Sequence, residues 1–239
     1  MVRKPARTTW NILLDDRPTS NVPRIKFSYE FSDQCGVKSA NHILDVGCGT
    51  GSYTQLVDRE GCIGIDLDIN GLIVAKKHCR KSEFIACSAT NLPFRNNVFE
   101  YACMWGVFEE LPAGLETHAM KEIRRILLGN GTYLLSVYTD HVLSKLFDPA
   151  FLFGGVRHYN VKRFMGLLSD IGFNITRYTI RGQLYTLMAI FLVYFYKHIL
   201  RKKEDRIKRF FERKSMQEID RKEKGIVYTF IAASKRSEG

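Results

Sequence analysis

The segment Ile43-Leu44-Asp45-Val46-Gly47-Cys48-Gly49-Thr50-Gly51 limits what this chain can fold into more than any other. Its first four residues read as a short buried strand, which glycines at every second position bring to an end. A residue without a Cβ lets the backbone turn tightly and approach a bound molecule closely. The free N–H groups of such a loop suit a polar or negative group, as does the N-terminus of a helix expected over 52–58. The dinucleotide fingerprint GxGxxG is not met. Reading from Gly47 puts Ser52 at the last glycine position, and reading from Gly49 puts Thr54 there.

Asp66 follows Gly47 by 19 residues and ends a second apolar run, Cys62-Ile63-Gly64-Ile65. A carboxylate at a strand end in this position accepts hydrogen bonds from ribose hydroxyls. Loop and acid together describe a nucleoside site that does not require a pyrophosphate. The plainer alternatives are a helix-entry turn for the loop and a surface acid for Asp66.

Further strands are expected over Glu83–Cys87, Val98–Met104, Thr132–Val137, Phe173–Ile180 and Gly225–Ala232. Helical patterns lie between them at 52–58, 69–79, 115–128 and 161–170, the last capped by Asn160 and stopped by Gly172. Gly129-Asn130-Gly131 reads as a helix stop and turn, and 139–158 as an irregular connection. Alternating strands and helices predict an α/β fold: a Rossmann-like, seven-stranded, mostly parallel sheet with helices on both faces. A helical insertion would precede the last strand. The expected divisions are an N-terminal arm and lid helix at 1–36, a core at 37–181, the insertion at 182–224, and a last strand and tail at 225–239.

Several segments together resemble the class I S-adenosylmethionine-dependent methyltransferases, in particular their small-molecule, quinone-biosynthesis-type branch. Residues 43–51 resemble the family's first motif and Gly64-Ile65-Asp66-Leu67-Asp68 its second. Leu92-Pro93-Phe94, Asn97-Val98-Phe99-Glu100 and Val107-Phe108-Glu109-Glu110-Leu111 resemble later stretches. Glu122-Ile123-Arg124-Arg125-Ile126-Leu127, with Gly129 and Gly131, resembles the helix and turn before the fifth strand. The resemblance covers about 42–138 and weakens toward 180. It implies S-adenosylmethionine as cofactor, bound by the core at 37–181. Asp45 would contact the methionine end, directly or indirectly. Gly47, Cys48, Gly49, Thr50 and Gly51 would form the loop around methionine and ribose. Asp66 would hold the ribose hydroxyls, Leu67 would pack on adenine, and Ala89 and Thr90 would border it. Trp105 would offer its backbone to the ammonium. The family often has an acid where Ser88 stands, so that adenine contact is weaker here.

Methyl transfer is an in-line displacement in which the protein mainly aligns the partners, and a base is needed only where the nucleophile loses a proton. The candidates for that base are Glu110, which stands where quinone-pathway relatives carry His, and His158. Their bland alternatives are an acid facing a helix N-terminus and a surface-loop histidine. No metal site is expected, and the six cysteines form no CxxC pair. Cysteines without a disulfide or zinc pattern fit a reducing compartment. With no signal-peptide pattern at the start, the expectation is a cytoplasmic protein with membrane association as an option.

The formal charge of +11 is unevenly placed. Residues 1–26 carry six basic and two acidic side chains, 27–196 carry 16 of each, and 197–224 carry 12 against six. The apolar run 184–196 is too short to span a bilayer. It precedes Arg201-Lys202-Lys203 and further basic residues to Lys214. A buried helix followed by a solvated one is one reading. The other is an acceptor-side wall touching an anionic membrane through 184–214, which suits a small or lipid-like acceptor modified at oxygen. An RNA methyltransferase and a cofactor-binding module without catalysis are the alternatives. Met104-Trp105-Gly106-Val107 lacks the Pro-Pro-aromatic motif of base-N-methylating relatives, and no Pro-Cys pair occurs.

Overall fold

A computed structural model of the chain describes residues 23–195, 206–221 and 224–236. Within them the short apolar runs pair as one sheet: β1 (Ile43–Val46), β2 (Cys62–Asp66), β3 (Glu83–Ala86), β4 (Phe99–Trp105), β5 (Leu127–Tyr138), β6 (Phe173–Arg181) and β7 (Tyr228–Lys235). Their order is β3-β2-β1-β4-β5-β7-β6, and β7 runs antiparallel to both its neighbours. The pairs among β1 to β5 are parallel, so β1, β2, β3 and β4 all end on one edge. From β1 the chain crosses to β2 on one side, while β4 lies on the other. The β1–β4 boundary is thus a topological switch point, where ligands bind in open parallel sheets.

Helices α1 (Pro23–Gln34), α2 (Ile69–His78), α3 (Glu116–Ile126), α4 (Val142–Leu146), α5 (Pro149–Gly154), α6 (Val161–Ile171), α7 (Leu184–Phe195) and α8 (Arg206–Asp220) complete the described fold. Two apolar clusters divide it. Met120, Ile123, Phe164 and Leu168 bring α3 and α6 onto one face. Ile25, Phe27, Phe31, Leu187 and Ile219 bring α1, α7 and α8 onto the other. Local chemistry sets the helix ends. Asn160 Oδ1 accepts from Arg163 N at 3.1 Å, and Gly172 closes α6 with φ 100°. Asp148 Oδ1 likewise accepts from Ala150 N at 2.9 Å to open α5, with Pro149 at its first position.

Four local expectations change. The helix expected over 52–58 is a single 3-10 turn, Thr54–Leu56, so no long helix follows the glycine loop. Gly129-Asn130-Gly131 is a bulge inside β5 rather than a turn: Phe99 pairs with Leu127, and Tyr101 next with Thr132. The glycines let β5 absorb these extra residues. The connection 139–158 contains α4 and α5, and β7 begins three residues later than its expected start at 225.

The insertion holds two helices. Glu218 on α8 accepts from the backbone N–H groups of Gln183, Tyr185 and Thr186, at 3.0, 2.9 and 2.8 Å, and so satisfies the start of α7. Leu187 and Ala189 are buried, whereas Leu184, Tyr185 and Phe191 remain exposed. The apolar run is therefore partly core and partly surface. Among the described residues no helix is long and apolar enough to cross a membrane. Arg201-Lys202-Lys203 and residues 1–22 lie outside the described residues.

Candidate active site

The glycine loop folds back onto the end of β2. Gly47 and Cys48 donate their N–H groups to Ile65 O at 2.8 and 2.9 Å. Two glycines there are required by geometry. Gly47 has φ 69°, and a Cβ on it would collide with the Val107 side chain. Gly49 has φ 53°, and a Cβ there would enter open space. The loop thus presents bare backbone to open space at Gly49, which lets a ligand approach it closely.

Asp45 lies beneath the loop and is buried. Its Oδ2 accepts from Thr54 Oγ1 at 2.6 Å, tying the 3-10 turn to β1. Burial pushes its carboxyl up to about 7, the Asp66 charge adds to this, and the Thr54 hydroxyl opposes it. Of the two roles expected for Asp45, the indirect one fits this geometry: it positions the loop from below.

Asp66 ends β2 at the same edge. Its Oδ2 accepts from Gly49 N at 2.8 Å and its Oδ1 from Asp68 N at 2.9 Å. One oxygen is bonded to the loop and the other to the entry of α2, and each keeps acceptor capacity for a further donor. Beside it Leu67 is 74% exposed, and Ile69 is exposed too. An apolar shelf next to a carboxylate with spare acceptor capacity is compatible with an adenosine, so these residues fit the implied cofactor. Cys87 N donates to Asp66 O at 3.1 Å, which brings Ala89 and Thr90 to this corner. Ser88 Oγ is turned inward onto Thr90, 2.8 Å from its Oγ1 and 3.2 Å from its N.

At the end of β4, Trp105 is buried against Tyr53 and Phe230, with ring centroids 5.3 and 6.3 Å apart. Its Nε1 has no hydrogen-bond partner. The adjoining Glu109 is buried, while Glu110 is exposed. Glu109 Oε1 accepts from Tyr138 N at 2.8 Å, and its Oε2 has no partner. Burial raises this carboxyl to about 7 against the pull of Arg24. Arg24, from α1, lays its guanidinium on Gly106, where a Cβ would collide with it, and 5.8 Å from the Tyr228 ring centroid. The sequence points to the Glu109-Glu110 pair and favours Glu110, and it gives no sign of Arg24. The Glu109-Glu110 pair marks the place without saying which acid is buried. Arg24 is distant in sequence, and no local signal joins it to the site.

His158 is corrected. Its side chain is fully buried and both ring nitrogens are engaged, Nε2 with Asp148 Oδ2 at 3.0 Å and Nδ1 with Thr139 O at 3.1 Å. The ring stacks on Tyr138 with centroids 5.1 Å apart. No edge of it is open to an acceptor. It joins α5 to the end of β5, and a buried ring with both nitrogens engaged fits neither the base expected from sequence nor its surface-loop alternative.

Residues 44–135 match the family model of the methyltransferase domain. A demethylmenaquinone methyltransferase of Staphylococcus saprophyticus is 34% identical over 106 residues, covering 41% of this chain and 45% of that protein. The human protein named probable tRNA methyltransferase 9B is 29% identical over 112 residues, covering 46% of this chain and 24% of that protein. The chain thus spans less than half the length of these curated relatives. Among solved structures, the (4+2)-cyclase SpnF superposes with a TM-score of 0.64 at 16% identity, covering 90% of this chain and 82% of that one. A likeness at this identity shows the fold, and the chemistry has to be read from the site.

Proposed function

Residues 44–135 are a methyltransferase domain of the class I, S-adenosylmethionine-dependent type, and from that premise we propose that the chain methylates a small or lipid-like acceptor at oxygen. The observation that carries this reading is the bare-backbone loop at Gly47 and Gly49 bonded to Asp66 on the β2 side of the switch point, with the exposed Leu67 beside it.

When bound, S-adenosylmethionine supplies a methyl group already activated on a sulfonium. The chain's own residues then hold and align. The loop and Asp66 bind the nucleoside, with Asp45 and Thr54 fixing the loop from below. Glu109 rather than Glu110 or His158 is the group suited to receive the acceptor's proton, because at the end of β4 its Oε2 has no hydrogen-bond partner among the described residues, whereas both His158 ring nitrogens are engaged. A hydroxyl needs such a base, which supports oxygen as the methylated atom.

A lipid-like acceptor is supported by exposed apolar side chains on the segments after β5. Phe153 is 80% and Val142 77% exposed, and Leu146 and Leu152 join them, with Leu184 and Phe191 exposed on α7. Patches of this kind mark contact with apolar partners. The relative named for demethylmenaquinone accords with a quinone-like acceptor. A second reading, methylation of RNA, draws on the tRNA methyltransferase relative and on the charge of +11. Incubation with methyl-labelled S-adenosylmethionine and a whole extract separates the two. Label in the organic phase is expected. Label in RNA would favour the second reading, and cofactor binding without labelled product a module without catalysis.

A further inference from the structure

Away from the glycine loop, a cavity of about 440 Å³ opens between α1, β6 and the end of α8. Arg177, Thr179 and Arg181 of β6 form one wall, and Phe27 and Phe31 of α1 close the floor. Each guanidinium lies over an aromatic ring, Arg177 Cζ 5.6 Å from the Phe31 centroid and Arg181 Cζ 5.1 Å from that of Phe27. Ring faces orient both cations without neutralising them.

The cavity's two acids are already engaged. Lys26 Nζ lies 3.5 Å from Glu30 Oε1 and 3.7 Å from Asp220 Oδ2. Among the described residues neither arginine forms an ion pair, although the Asp220 charge across the cavity acts on Arg181. Arg181 donates one hydrogen bond from Nη1 to Arg221 O, while its Nε–H is buried and unpartnered. Burial, followed by the proximity of Arg177, holds Arg181 below the ordinary arginine range. Two like charges on the same cavity wall, one with a buried donor unsatisfied among the described residues, are an arrangement that an oxyanion relieves.

We propose that this cavity binds a phosphate-bearing anion, gripped by Arg177 and Arg181. Guanidinium forks match phosphate oxygens, and a phosphate has enough acceptors to serve both arginines at once. The volume exceeds that of a bare ion, so the phosphate carries an organic body. Register places the site on the functional edge: Arg181 pairs with Tyr228, and Tyr228 with Tyr138, whose N–H is held by Glu109. The anion therefore sits two strands from the candidate active site, at the flank of the helix that carries Arg24. This goes beyond the methyl-transfer reading and does not depend on the acceptor.

The test uses the full chain in two arms: titration calorimetry with inorganic phosphate, and sedimentation with phosphatidylcholine vesicles with and without phosphatidylglycerol. Arg177→Gln is the main variant, because Arg177 is exposed and its loss leaves the core intact; Arg181→Gln is the second. Saturable phosphate binding that each variant weakens about tenfold or more supports a soluble phosphate ligand. Binding only to phosphatidylglycerol vesicles, weakened by the same variants, supports a lipid headgroup. Absence of binding in both arms, or binding that neither variant changes, overturns the proposal.

Discussion

On the nucleoside side of the switch point, Asp45, the glycine loop, Asp66 and Thr90 all fall within one stretch of 46 residues. On the other side, where the acceptor is proposed to bind, Arg24, Glu109, Tyr138 and Tyr228 converge from α1, the end of β4, the end of β5 and the start of β7. The first region is defined by backbone: positive φ values and N–H groups that only a loop of this sequence can present. The second is defined by side chains from four separate elements. A backbone site tolerates little change, whereas a side-chain site can be rebuilt by exchanging residues on elements that stay in place.

The largest effect is expected where the backbone is least forgiving. Gly47→Ala adds a Cβ to a left-handed residue and drives it into Val107, costing about 2–4 kcal/mol and abolishing cofactor binding. Urea denaturation and calorimetry with S-adenosylhomocysteine check this. A variant that binds normally would erase the contrast between the two regions.

Next comes pH, which probes both sides at once. Asp45 and Glu109 are each raised to about 7 in the fold. The folded state therefore holds more protons than the unfolded chain between about pH 4 and 7. Stability from these groups is fully present below their unfolded values and is lost as pH rises through 7. The loss is on the order of 3 kcal/mol for each group. Asp45→Asn and Glu109→Gln should each flatten part of that slope when unfolding is compared at pH 5 and pH 8.

A smaller loss is expected in the insertion. Glu218→Ala leaves three N–H groups at the start of α7 without their acceptor and should cost about 2 kcal/mol. Cofactor affinity should not move, which calorimetry can verify. The smallest change in stability, under about 0.5 kcal/mol, is expected for Phe153→Ser, because this side chain is exposed. Its readout is weaker sedimentation with lipid vesicles, and unchanged sedimentation would count against a membrane-facing acceptor side.

The same contrast explains what could be read from sequence. The strands, their mostly parallel arrangement and the loop were legible because short apolar runs, glycines and strand-end acids are local signals. Asn160 and Gly172 marked α6 for the same reason. The turn expected at Gly129-Asn130-Gly131 failed because pairing with β4 drew those glycines into a bulge, a tertiary effect. The helix expected over 52–58 was cut to one turn where Thr54 bonds Asp45. His158 looked like a loop base because nothing in the sequence announces that Asp148, Thr139 and Tyr138 close around it. Arg24, and the burial that sets Glu109 apart from Glu110, stayed hidden because both depend on how α1 packs against the sheet.

The central claim is that the loop and Asp66 form a nucleoside cradle. Calorimetry of S-adenosylhomocysteine with the wild-type chain and with Asp66→Asn tests it most directly. The amide can still accept from Gly49 N–H, so the loop should hold its shape. The account predicts saturable one-to-one binding by the wild-type chain, weakened about tenfold or more in the variant with little change in thermal stability. Absence of wild-type binding, or equal affinity in both proteins, would contradict it.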